Sequence, residues 1–172
     1  MQIVGYVELN ELKDWLDITY SSKDIVLGTL IEATSERIDN YCRRDFAPHA
    51  NVTETYWSEW RDTFLLRYYP VTEIISISID DYEGNSDLSL GILKIPSPYY
   101  GEFSVTYNAG SPTPPKLVAQ VCRELCALYW ANRKHEGVAG ENISGYSYSV
   151  DPQAEARILS KLDSYRDIVP RG

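Results

Sequence analysis

"TEIISISID", residues 72–80, sets Ile75, Ile77 and Ile79 against Ser76, Ser78 and Asp80. A period of two in β-branched residues predicts a strand with one face buried and the other wet. Its neighbours read the same way. "NVTETYW" (51–57), "DTFLLRYY" (62–69), "GILKIP" (91–96) and "EFSVTYN" (102–108) are short, rich in β-branched and aromatic residues, and bounded by Pro, Gly or Asp. From about Ala47 to Tyr107 the pattern predicts a small antiparallel sheet or barrel-like lobe.

On both sides of that stretch the period changes to that of helices. Upstream, "VELNELKDWLD" puts Leu9, Leu12, Trp15 and Leu16 on one stripe. Ser21 or Ser22 is then placed to cap a second helix whose core face is Leu27, Leu30, Ile31, Thr34, Ile38 and Tyr41. Downstream, "NAGSPTPP" breaks the sheet, and Pro115 suits the first turn of a long third helix with Val118, Val121, Cys122, Leu125, Leu128 and Tyr129 inward. Asp151 as cap and Pro152 as first residue open a fourth, with Ile158, Leu159, Leu162 and Tyr165 inward. The expectation is an α+β fold: a bundle of about four helices with an inserted small antiparallel β lobe. Its parts are a helical pair over 1–46, the lobe over 47–112, and the long helix, a Ser/Tyr arm, the last helix and a tail over 113–172.

Composition narrows the function. The chain has 172 residues, 44% hydrophobic and 24% charged, enough for a real core in one domain. It has no apolar run of transmembrane length and no basic, apolar leader, so a soluble protein that is not exported is expected. The net charge of −9 disfavours wrapping nucleic acid, though not a surface past which DNA slides. Three cysteines, Cys42, Cys122 and Cys126, are an odd number without framework spacing, which reads as free thiols.

Signals for chemistry are weak. Cys122 and Cys126 lie one helical turn apart, but no His/Cys pair nearby completes a tetrahedral set, and buried structural thiols are the simpler reading. "DDYEGNSD" (80–87) gathers four acids around Gly84, yet a calcium loop counted from Asp81 has its glycine at the wrong place and no closing glutamate. A hairpin tip kept soluble by charge fits better. "HEGVAGE" lacks the second histidine of a zinc-protease helix, and "GVAGENISG" lacks the lysine of a phosphate loop. With only His49 and His135, no local base–nucleophile signature exists. No cofactor, no metal and no catalysis are expected.

A surface remains. The connection from Asn132 to Val150 is long for one between packed helices. Its end, "GYSYSV", alternates Tyr146, Tyr148 and Val150 with Ser147 and Ser149. Such a strand either folds back on its own bundle or meets a neighbouring subunit through edge pairing or aromatic packing.

In this order, "ELKDWLDI", "LIEATSERIDNYCRRDF", "PKLVAQVCRELCALYWANR", "GENISGYSYS" and "ILSKLDSYR" resemble the phage head–tail connector (adaptor) family. The family segment often reads Gly-Asp-Tyr-Ser-Tyr, where this chain has Ser144-Gly145-Tyr146-Ser147-Tyr148. Compact members lack the β-rich stretch, whereas longer ones carry one. The resemblance implies a protein made in the host cytoplasm and sited in the virion neck. There it would form a homo-oligomeric ring, usually of twelve copies, below the portal protein. The ring would extend the DNA channel without binding DNA specifically and receive stopper or tail-completion proteins, with no membrane partner. It implies interface roles for Tyr146, Ser147, Tyr148 and Val150, and for Tyr165 and Arg166 at the start of the tail. Asp80, Asp81, Glu83 and Asp87 become a candidate lumen-facing acidic tip. Other readings are another neck protein, such as a stopper or tail-completion protein, or a cytosolic ligand-binding module or enzyme built around His49 or His135.

Overall fold

The structure, a computed structural model, describes residues 5–79, 87–133, 140–143, 146–149 and 151–167, with the backbone alone for 140–143 and 146–149. The fold is α+β. The order is α1 (Leu9–Trp15), α2 (Asp24–Cys42), β1 (His49–Leu65), β2 (Val71–Ile77), β3 (Ile92–Ala109), α3 (Lys116–Asn132), β4 (Gly140–Ile143), β5 (Tyr146–Ser149) and α4 (Ala154–Ser160). Short 3₁₀ turns occupy Leu88–Leu90 and Asp163–Tyr165. The chain divides into two compact units, one of Met1–Arg43 with Pro115–Arg166 and one containing Arg44–Pro114. Among the described residues no helix is long and apolar enough to cross a membrane.

In the helical unit α3 is the central element, packed against α1, α2 and α4. Val118, Val121, Cys122, Leu125 and Cys126 are fully buried along it. Burial of each such Val or Leu contributes roughly 1.5–3 kcal/mol. On α2, Leu27, Ile31, Thr34, Ile38 and Cys42 face the core, and Arg43 ends the helix in the left-handed conformation at φ 55°. Where α2 meets α3, two pairs of small polar residues touch. The Cys126 thiol donates to the Thr34 hydroxyl at 3.5 Å, and Ser35 Oγ lies 3.8 Å from Cys122 Sγ. A hydrogen bond to the Cys126 sulfur, then burial, push the Cys122 thiol far above its ordinary range. It stays protonated and inert, as packing thiols do.

Three local expectations are corrected here. Trp15 is 53% exposed, because α1 is only two turns long and Leu12 alone occupies its buried centre; the ring instead lies 5.8 Å from the Arg123 guanidinium. Neither Ser21 nor Ser22 caps α2 by its side chain; the cap is Lys23, and the Ser21 carbonyl accepts from the Asp24 N–H at 3.1 Å. Finally, α4 begins at Ala154, later than Pro152 suggested. Asp151 still organises that end, accepting from the Gln153 N–H at 2.9 Å and from Arg157, contacts that hold its carboxyl below the usual range.

The second unit is a three-stranded antiparallel sheet in the order β1-β3-β2. Five predicted strands become three because β1 and β3 run through their irregularities instead of stopping at them. In β1 the register against β3 shifts between Glu59 and Arg61 and again before Thr63, and Trp60 adopts φ 57°. The buried Ser58 hydroxyl holds the break, donating to the Tyr99 carbonyl at 2.7 Å and accepting from the Arg61 N–H at 3.2 Å. On β3, Phe103, Val105, Tyr107 and Ala109 alternate into a core shared with Phe64, Leu66, Val71, Leu93 and Ile95.

The isoleucine alternation does not survive pairing. Ile74 pairs with Tyr107 and Ser76 with Thr106, so Ile75 is an extra residue in β2. Such a bulge moves the inward phase by one position. Ile74, Ile77 and Ile79 therefore pack on the core, whereas Ile75 is 45% exposed.

A carboxylate ties the end of β1 to β3. Glu54 accepts from the hydroxyls of Tyr56 and Tyr107 and from the Arg67 N–H at 3.2 Å, while the Tyr107 oxygen accepts from the Tyr68 N–H at 3.2 Å. Burial, then the bond to Glu54, raise Tyr107 well above its ordinary 10.0. The unfolded chain releases this proton near pH 10 while the folded chain keeps it. Stability is thus fully present below pH 10 and is lost as pH rises above it. Tyr107→Phe should cost about 1–2 kcal/mol at neutral pH and make the alkaline loss shallower. Urea titrations at pH 8 and pH 11 test this, and parallel curves for the two proteins would refute the assignment.

Candidate functional site

Three surfaces stand out. The first is the Ser/Tyr segment. Tyr146, Ser147 and Tyr148 lie in β5, which pairs antiparallel with β4 in the register Ile143↔Tyr146, Asn142↔Ser147, Glu141↔Tyr148 and Gly140↔Ser149. The strand expected from the alternation is thus half of a hairpin, and among the described residues its sheet has only these two strands. Val150 lies outside the described residues, as do the side chains of the hairpin.

The start of the tail is tied down. Tyr165 ends the second 3₁₀ turn and is half-buried, and the exposed Arg166 lies 5.0 Å from the Tyr41 ring. Tyr41 donates to Asp163 at 2.6 Å, which raises its hydroxyl above the ordinary tyrosine value. Asp163 sits 3.8 Å from Arg166, closing a small network from α2 to the second 3₁₀ turn. Of the acidic tip, Asp80, Asp81 and Glu83 lie outside the described residues. Asp87 caps the first 3₁₀ turn, accepting from the Ser89 hydroxyl at 2.6 Å and the Leu90 N–H at 3.4 Å. The Ser89 bond, chiefly, lowers its carboxyl.

The second surface is a groove of about 390 Å³ between the first turns of α2 and the last turns of α3. Ile25, Val26, Leu30 and Ala33 line it from α2, and Tyr129, Trp130 and Arg133 from the other side. Ile25 is 80% exposed and Val26 50%. The Arg133 guanidinium lies 3.4 Å from the centre of the Trp130 ring and donates to the Trp130 carbonyl. Beside it, Arg37 pairs with Glu155 at 2.8 Å, and burial, then the Glu155 charge, keep the Tyr129 hydroxyl above its ordinary value. Sequence reasoning missed this groove. The available signal was Ile25 and Val26, apolar but off the buried stripe, above the small Thr29 and Ala33.

The third surface is aromatic. The break in β1 turns Trp60 outward beside Tyr100, with ring centres 5.5 Å apart, and Trp57 meets the same ring edge-on at 5.9 Å. All three are more than half exposed. His49 stacks on Tyr68 at 3.9 Å and lies 3.0 Å from Asp45, outside the groove, while His135 is outside the described residues. Among the described residues no group of three His, Cys, Asp or Glu side chains is placed to hold a metal.

No curated protein matches the chain. Solved structures do. The chain is similar to one in the neck of an empty gene transfer agent particle computed with C6 symmetry, at 14% identity and TM-score 0.64, covering 98% of this chain and 94% of that one. It is also similar to a chain in the virion of a native gene transfer agent particle, at 12% identity, TM-score 0.64, and 95% and 91% coverage. A third, in the neck of the native particle computed with C12 symmetry, gives 13% identity, TM-score 0.55, and 98% and 95% coverage. At these identities the likeness is one of fold, shared along almost the whole of both chains. The family model for head completion proteins matches residues 6–168, helical unit and β lobe alike, and the chain belongs to that family.

Proposed function

We propose that this protein is the adaptor of a tailed-phage neck: a ring, of twelve copies in the virion, that docks below the portal, extends the DNA channel and receives a stopper or tail-completion protein. The role is structural. The observation that carries it is the family match over 6–168, joined by a fold that covers 94% of a chain from a C6 neck. On this reading residues 1–46 and 113–172 form the ring body and 47–112 an insertion. Tyr146, Ser147, Tyr148 and Val150 contact the next protomer, and Tyr165 and Arg166 begin the tail that reaches a partner. A ring multiplies the −9 of each copy. Acids turned to its lumen, with Asp80, Asp81, Glu83 and Asp87 the candidates, would repel passing phosphates and leave the channel smooth.

Native mass spectrometry over a range of concentrations, with and without portal and with the assemblies imaged, tests the proposal. Closed rings of about twelve copies, alone or on the portal, are expected, since a head-to-tail contact must close on itself. A chain that stays monomeric and binds no portal would refute the adaptor role. Binding only to the far side of a preformed neck would make it a stopper.

A further inference from the structure

We infer that the groove between α2 and α3 is the seat for the β4–β5 hairpin of a second copy of this chain. The inference rests on the ring reading and names the two halves of its contact. A ring needs two different patches on every copy, one given and one received. The groove has the character of the received side. Ile25 and Val26 stand 80% and 50% exposed at its rim, although each would gain by leaving water. Ala33, a small side chain on the same α2 face, leaves the space beneath them open.

The hairpin has the chemistry of the other half. Gly140–Ser149 contains Ile143 and two tyrosines among Ser, Asn and Gly, with Glu141 its single acidic or basic residue. Tyrosine suits a seat that is apolar at its floor and wet at its rim. The charges also match. Among the described residues Arg133 is the one cation lining the groove and has no carboxylate within ion-pair distance, whereas the hairpin brings one carboxylate, Glu141.

Chain connectivity makes the exchange feasible. Arg133, at the groove's edge, is followed by the segment that leads to β4, so each copy presents its seat and its hairpin from the same end of α3. The seven steps to Gly140 span at most about 25 Å. Packed helices lie only about 8–10 Å apart, so a hairpin can reach the helix pair of an adjoining copy.

Two single variants, Val26→Cys and Tyr148→Cys, are mixed under mild oxidation; Cys42, Cys122 and Cys126 are fully buried and do not compete. A disulfide between the two chains is expected, at a yield at least about ten-fold above that of Glu36→Cys, exposed elsewhere on α2, with Tyr148→Cys, because a docked contact raises the local thiol concentration. Equal yields for the two pairs would overturn the inference. So would a bond formed only within one chain in the double variant Val26→Cys/Tyr148→Cys, since the hairpin would then fill its own groove. Wild-type rings without the interchain bond refute the seat and leave the ring standing. A wild-type chain that is monomeric with and without portal, binds no portal and forms no bond refutes both.

Discussion

Gly110→Ala should cost the β lobe about 3–5 kcal/mol, a large share of a typical domain's stability. Gly110 follows the last residue of β3 at φ 82° and donates its N–H to the Pro70 carbonyl at 2.8 Å. A Cβ built there would lie 2.1 Å from the Ala47 carbonyl oxygen and 3.0 Å from Pro48 Cα. Both are backbone atoms, so no rotamer change relieves the clash, and the strand must leave either Pro70 or Ala47. Gly101 provides the contrast. It also has positive φ, at 133°, but its nearest atoms belong to the Tyr99 side chain at 3.5 Å, an ordinary contact. Gly101→Ala should therefore carry only the backbone cost of about 1–3 kcal/mol, without the added clash. Urea midpoints followed by tryptophan fluorescence, to which Trp57 and Trp60 contribute from the lobe, measure the difference. Equal losses for the two variants would mean that the close approach at Ala47 is not what requires glycine.

The Tyr146→Ala/Tyr148→Ala pair should leave the monomer folded and remove the ring. Well-seated interface tyrosines are worth about 2 kcal/mol or more each on truncation. Losing two weakens each contact by about 4 kcal/mol, roughly a thousand-fold in affinity. A closed ring repeats that loss at every interface, so at concentrations where wild type is a ring the variant should sediment as a monomer. Circular dichroism and the melting temperature report whether the fold is intact. Assembly equal to wild type would exclude the hairpin from the contact. Unfolding would mean that the tyrosines serve their own subunit.

Both expectations depend on how far a residue's neighbours lie along the chain. The helices were readable because their hydrogen bonds close within four residues and their buried faces repeat at 3.6. Val118, Val121, Cys122 and Leu125 on α3 are buried as the pattern predicts. The stripe failed at Trp15, where α1 is too short to hold four residues against the core. In the sheet, strand character was readable and phase was not. A bulge at Ile75 depends on which residues of β3 stand opposite, and no period within residues 72–80 contains that information. The joining of "NVTETYW" to the following strand into one β1 is of the same kind, since Ser58 must find the Tyr99 carbonyl 41 positions away.

The candidate surfaces divide in the same way. The Ser/Tyr strand was legible as alternation, though its partner β4, with only Ile143 and three small or polar residues, carried no strand signal of its own. The groove was invisible because it belongs to neither helix: Ile25 and Val26 become a rim only once Tyr129 and Trp130, more than a hundred positions later, stand across from them. What the order of residues determined by itself was local: four helices, a β-rich insertion, an uncharged Tyr/Ser strand and an acidic chain. Strand phase, the outward turn of Trp60, the need for glycine at 110 and the α2–α3 groove were decided only by tertiary structure, because each depends on atoms brought together from distant parts of the chain.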